Sequence, residues 1–188
     1  SNEPPLTPLP YTEDFSNPSS GWEISSDLTG ETSYRDGKMN ILVKNDNFTI
    51  WSVAKQSFKD AIYEVDAEPI SGPEDNGFGV IFRFKDRKNF LHFEISSDGY
   101  WRAGTMAEGK MTSYADWVQH PAIKTGNAVN RIRIEMRGND FVYAVNGVEI
   151  FRRTEEGFER GDLGVFVLTV FDQPNVTVGF DNVSVTKP

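Results

Sequence analysis

Three carboxylates recur at every second position in Glu64-Val65-Asp66-Ala67-Glu68. Residues i, i+2 and i+4 of a strand share a face, so an extended segment presents Glu64, Asp66 and Glu68 side by side. Carboxylates paired on one surface can cleave a glycosidic bond, one acting on the sugar and the other moving a proton. The same spacing describes an ordinary solvated acidic strand, and Pro69 follows at once, a residue that interrupts sheet pairing.

A second constellation comes from hairpin register. A four-residue loop Asp86-Arg87-Lys88-Asn89 pairs Phe84 with Leu91, Phe82 with Phe93 and Val80 with Ile95, which makes one face wholly apolar. The opposite face then carries Arg83 beside His92 and Ile81 beside Glu94. In the next hairpin, the loop Ser97-Asp98-Gly99 has glycine where a left-handed residue is required, so Ile95 meets Trp101 and Glu94 meets Arg102. A third turn, Asn146-Gly147, pairs Val145 with Val148 and Tyr143 with Ile150.

Arg83, His92, Glu94 and Arg102 are thus expected on one polar face, with Tyr100 beside Arg102. Guanidinium, imidazole and carboxylate groups so placed can hold vicinal sugar hydroxyls or an acidic sugar's carboxylate by bidentate hydrogen bonds. They can equally form a cross-strand ion-pair ladder worth about 0.2–1 kcal/mol. Trp51 and Trp117 are candidate stacking platforms for sugar rings, whereas Trp101 falls on the apolar face.

Metal ligation has little to work with. The two histidines, His92 and His120, show no zinc spacing. Asp14 and Asp181 offer oxygen to calcium if the terminal strands pair, or simply cap turns. No other cofactor is expected, because phosphate-binding glycine loops and a Gly-x-Ser-x-Gly elbow are absent.

The elements that must position these groups are strands. Short alternating runs rich in Val, Ile, Phe, Tyr and Thr fall at about 11–15, 22–26, 31–35, 38–44, 48–54, 58–68, 77–85, 90–96, 100–106, 110–118, 128–137, 140–146, 148–153, 162–171 and 175–186. With no helical periodicity between them they imply antiparallel sheets packed as a sandwich. The 188 residues are 38% hydrophobic, enough for one core. Residues 1–10 hold four of the ten prolines and read as a linker, a tether to another domain or a membrane anchor, before a single domain over 11–188.

A net charge of −9 argues against nucleic acid and anionic lipid surfaces as partners, and no stretch is long and apolar enough for direct membrane insertion. Cysteine is absent, so neither thiol chemistry nor disulfides enter.

Gly77-Phe78-Gly79-Val80-Ile81-Phe82-Arg83-Phe84, Asn89-Phe90-Leu91-His92-Phe93-Glu94-Ile95, Asp98-Gly99-Tyr100, Asp116-Trp117, Asn130-Arg131-Ile132-Arg133, Gly161-Asp162-Leu163-Gly164 and Phe180-Asp181-Asn182-Val183 follow one another in an order that resembles a bacterial domain family. It belongs to the concanavalin A-like lectin/glucanase superfamily and is related to laminin-G-like and 3-keto-disaccharide hydrolase domains. The resemblance implies a two-sheet jelly roll with adjacent terminal strands and a curved sheet offering a carbohydrate groove. Arg83 and Glu94 are similar to positions that recur in the 3-keto-disaccharide hydrolase relatives. Glu64 to Glu68 resembles the acidic signature of family-sixteen glycoside hydrolases, which implies Glu64 as nucleophile, Glu68 as acid/base and Asp66 as the residue tuning them.

Three functions follow as expectations. The leading one is a non-catalytic glycan- or polysaccharide-binding module, lectin-like and extracytoplasmic. The others are a glycoside-cleaving enzyme and a protein-interaction domain.

Overall fold

A computed structural model describes residues 2–188; Ser1, the first residue of the expected linker, lies outside them. The strands are β1 (Tyr11–Glu13), β2 (Ser25–Asp27), β3 (Gly30–Arg35), β4 (Lys38–Val43), β5 (Thr49–Val53), β6 (Ala61–Ser71), β7 (Asn76–Asp86), β8 (Asn89–Ile95), β9 (Tyr100–Ala107), β10 (Lys110–Gln119), β11 (Asn130–Arg137), β12 (Asp140–Val145), β13 (Val148–Thr154), β14 (Asp162–Thr169) and β15 (Val176–Thr186). Each expected strand is present, and the described residues contain no helix.

The strands form two antiparallel sheets. One runs β13-β12-β11-β6-β15-β4-β3-β2, with β1 added beside β15; the other runs β10-β9-β8-β7-β14-β5. Pairing of β1 with β15, Tyr11 opposite Val185, joins the two ends of the chain. This is a concanavalin A-like jelly roll. Alternation along β6 sends Tyr63, Val65 and Ala67 into the core, against Phe78, Val80 and Phe82 of β7 and Leu91, Phe93 and Ile95 of β8. The Tyr63 hydroxyl crosses the sandwich and donates to the Gly164 carbonyl at 2.9 Å, so the one polar atom on that ring is satisfied inside the core.

Two hairpins differ from the expected registers. The β8–β9 turn pairs Ile95 with Trp101 and Glu94 with Arg102, as its glycine dictates. The β7–β8 turn is tighter than expected: Asp86 pairs with Asn89, and then Phe82 with Leu91, Val80 with Phe93 and Phe78 with Ile95. Two extra residues of β7 are taken up between Phe82 and Asp86. There Arg83 adopts a positive φ of 48°, and the bulge exchanges the faces of Arg83 and Phe84. In the β12–β13 hairpin Val145 meets Val148, but a bulge at Ile150 sets Tyr143 opposite Phe151 instead of Ile150.

The N-terminal segment lies on the body. Thr7 N–H donates to the Ser57 carbonyl at 2.8 Å, and Arg160 reaches the Pro4 carbonyl and the Ser57 hydroxyl. The turn that receives it is clamped by Asp162, whose carboxylate accepts from the backbone of Lys55 and Gln56 at 2.9 and 3.0 Å. Burial raises this carboxyl from an ordinary 3.8 to about 6, although the backbone hydrogen bonds oppose the shift.

Because the folded value lies above the unfolded one, this group's contribution to stability is complete below about pH 4 and is lost as pH rises through 6. Asp162→Asn cannot ionise. Between pH 4 and 7 its stability should improve relative to the wild type by about 1–3 kcal/mol, read from urea midpoints of both proteins at the two pH values. A gap that stays constant would contradict the assignment.

Candidate functional site

Register places side chains in rows across the six-stranded sheet. On the face turned away from the core, one row reads Trp51 (β5), Phe166 (β14), Gly79 (β7), Glu94 (β8) and Arg102 (β9). The next reads Val53, Gly164, Ile81, His92 and Gly104. Three of these ten positions are glycine, which lowers the floor of the face and lets large side chains lie across it. At Gly104 a Cβ would sit 2.8 Å from His92 Nε2 and 2.3 Å from the Thr112 carbonyl, so the imidazole occupies the space a side chain would need.

The face divides into two halves. In the polar half Glu94 is fully buried and holds two partners at once: Oε1 accepts from Arg102 Nε at 2.6 Å and Oε2 from His92 Nδ1 at 2.7 Å. That leaves Nε2 of His92 buried without a protein partner. The Arg102 guanidinium, fixed by Glu94, lies 4.8 Å from the centre of the Trp117 ring, a cation–π contact.

Trp117 is aimed there by an irregular strand. Register slips twice along β10, between Ser113 and Ala115 and again between Ala115 and Val118, and Trp117 takes a positive φ of 38°. A bulky residue in that region costs about 1–3 kcal/mol, an expense found where a side chain must be presented in one direction.

Beside this stack a recess of about 210 Å³ is lined by Trp117, Tyr100, Asp75, Asn76, Ser96 and Asp98. Its walls are braced. Asn76 exchanges side-chain and backbone hydrogen bonds with Ser97, at 3.1 Å each, and the Ser96 hydroxyl donates to Asp98. The other half of the face is aromatic: Trp51 packs against Phe84 and Phe90 with ring centroids 5.9 and 5.5 Å apart, and the Arg87 guanidinium lies 5.6 Å from the Trp51 ring.

His92, Glu94, Tyr100, Arg102, Trp51 and Trp117 therefore share one face. Arg83 does not join them. The bulge turns it inward, where its guanidinium donates to the carbonyls of Phe158 and Lys59 and sits 5.1 Å from the Phe141 ring centre. It is 1% exposed, and burial lowers its pKa from the usual arginine value. Phe84 takes the outward position instead and completes the aromatic half. Asp75, Asn76, Ser96 and Asp98 escaped sequence reasoning as site residues. Asp98 carried a local signal in the Ser-Asp-Gly turn, and Asp75 and Asn76 carried one in the acidic, turn-rich run Ser71–Gly77, which lacks the ligand order of a calcium loop.

Glu64, Asp66 and Glu68 do share a face, as their alternation requires, but it is the outer face of the nine-stranded sheet, on the far side of the molecule from the Trp117 recess. Cations meet each of them, from β11 beside β6 and from β4 across β15. Arg131 lies 3.2 Å from Asp66 and 3.8 Å from Glu64, Arg133 lies 3.8 Å from Glu64, and Lys38 lies 3.4 Å from Glu68.

Asp14 and Asp181 are brought near each other by the terminal strand pair. Asp14 accepts from the Ser16 N–H and hydroxyl at 3.0 and 2.7 Å, which holds its carboxyl below the usual value. Asp181 is raised by burial and accepts from the Asn182 N–H at 2.7 Å. Among the described residues no group of three His, Cys, Asp or Glu gathers to hold a metal ion.

Comparison with solved structures places the chain among jelly rolls. It is similar to the carbohydrate-binding module CBM66 from Bacillus subtilis, with 18% identity, TM-score 0.67, and 89% of this chain and 96% of the other covered. It is similar to a native glycosidic hydrolase, with 14% identity, TM-score 0.72 and 97% of each chain covered. A third likeness is to the Bacillus licheniformis beta-glucanase, with 12% identity, TM-score 0.69, and 97% and 100% covered. No family model matches the sequence, and no curated protein matches it. At these identities the likeness is one of fold.

Proposed function

We propose that this chain is a non-catalytic carbohydrate-binding module that takes its glycan on the outer face of the six-stranded sheet, at the Trp117 end. The observation that carries this reading is the Glu94–Arg102–Trp117 stack beside a recess of carboxylate, amide and hydroxyl groups. An aromatic plane next to fixed polar groups suits the two sides of a sugar ring, apolar C–H on one and hydroxyl on the other. The carbohydrate-binding module among the similar folds supports the same reading. Catalysis by Glu64 and Glu68 is the weaker reading because both are engaged by Lys38, Arg131 and Arg133 on the opposite side of the sandwich. The place of action proposed is outside the cytoplasm, where polymeric glycans are met.

The test is a glycan-array screen followed by titration of the best ligand. Trp117→Ala should weaken binding by about tenfold or more, while a Glu64→Gln/Glu68→Gln variant binds as the wild type does. Release of sugar that disappears in the latter variant would replace this reading with the hydrolytic one.

A further inference from the structure

The N-terminal segment and the neighbouring ends of β7 and β14 enclose a second cleft, of about 760 Å³, away from the Trp117 recess. Leu6 and Phe84 supply apolar wall, and Lys55, Lys85, Arg160, Glu3 and Asp162 supply charge. Two of these charges cancel, since Arg160 pairs with Glu3 at 3.3 Å while gripping the Pro4 carbonyl and the Ser57 hydroxyl. Asp162 is occupied by the N–H groups of Lys55, Gln56 and Leu163.

Lys55 and Lys85 remain, and among the described residues neither enters an ion pair. Lys85 donates only to the Gly157 carbonyl, at 2.8 Å. At neutral pH the cleft therefore presents two ammonium groups beside apolar wall against the one carboxylate of Asp162, which is buried under its three N–H donors, and so it is net positive in a protein whose net charge is −9. Phe84 belongs both to this cleft and to the aromatic half of the sheet face, so the two surfaces are continuous.

We propose that this cleft binds the anionic group, carboxylate or sulfate, of an acidic sugar residue, with the ring against Phe84 and Leu6 and the charge between Lys55 and Lys85. The proposal rests on the glycan reading for the kind of ligand and is independent of it for the place.

The experiment is calorimetric titration of the whole chain with trigalacturonate, a sulfated dextran oligomer and an uncharged dextran oligomer, the first two separating carboxylate from sulfate. Lys55→Gln/Lys85→Gln should weaken binding of the preferred charged oligomer by about fivefold or more. Binding to the wild type should fall with added salt, and a charge-matched Lys124→Gln/Lys187→Gln variant should behave as the wild type. Charged binding that survives Trp117→Ala supports a separate cleft, even if the Trp117 recess proves to bind nothing. The proposal is overturned if neither charged oligomer binds, if the two double variants lose affinity equally, or if Trp117→Ala abolishes charged binding while Lys55→Gln/Lys85→Gln does not.

Discussion

A Gly79→Ala variant is expected to lose the native sandwich, whereas Gly77→Ala, two residues away on the same face, keeps it. At Gly79 an added Cβ would lie 2.0 Å from the Phe93 carbonyl oxygen and 2.7 Å from the Glu94 Cα. Both atoms belong to the backbone of β8, the neighbour that carries His92 and Glu94. Relief requires the β7–β8 ladder to separate in the middle of the six-stranded sheet. The cost should exceed the about 1–3 kcal/mol usual for overpacking, because no side chain can turn aside.

At Gly77 the nearest atoms, 2.7–3.0 Å away, belong to the Leu168 side chain. Leu168 can change rotamer, and the expected loss is about 1–2 kcal/mol. Thermal unfolding of both variants decides the matter: Gly77→Ala retains a cooperative transition and Gly79→Ala does not. Equal melting temperatures would contradict the close approach of β7 to β8.

Glu94→Ala should be the most damaging substitution among the polar residues of the face. It removes the shared acceptor of His92 Nδ1 and Arg102 Nε, leaving an imidazole that is 2% exposed and a guanidinium whose side chain is 20% exposed. Loss of one member of a buried, hydrogen-bonded charge cluster costs about 3–5 kcal/mol; water that reaches Arg102 brings the expectation to about 2–4 kcal/mol. Glu94→Gln keeps the shape and one acceptor oxygen, and about half the loss is expected.

Urea unfolding gives these differences directly. Glu94 is a positioning residue for Arg102 and Trp117, so Glu94→Gln should also weaken glycan binding while the far-UV spectrum stays native. A Glu94→Ala protein as stable as the wild type would show that the buried cluster is not held as described.

Local pattern went far in predicting this fold. Alternation located every strand, and Gly99 set the register that joins Glu94 to Arg102. The β7–β8 register was not legible in the same way. Both the four-residue loop and the bulged, tighter hairpin keep Phe82 and Phe93 facing inward, and the choice between them depends on where the Arg83 side chain finds acceptors. Those acceptors, the carbonyls of Lys59 and Phe158, lie 24 and 75 residues away in sequence.

Long-range placement also decides the meaning of Glu64, Asp66 and Glu68. Period-two spacing puts them on one face, but nothing within the five residues says which sheet β6 enters or that Arg131, Arg133 and Lys38 will flank it. The recess at Trp117 shows the same limit. It joins residues from the start of β7, the β8–β9 turn and β10, which no local motif connects.

On the proposed reading, glycan binds at the Trp117 end of the six-stranded sheet. The most direct test is a titration followed through the indole N–H resonances of the four tryptophans, with the ligand selected from the array. Trp117 should shift in proportion to saturation together with the amides of Ser96, Asp98 and Tyr100, while the core residues Trp22 and Trp101 hold their positions. Saturable binding that leaves Trp117 unmoved and shifts the amides of Glu64, Asp66 and Arg131 would contradict that reading and move the site to the opposite sheet.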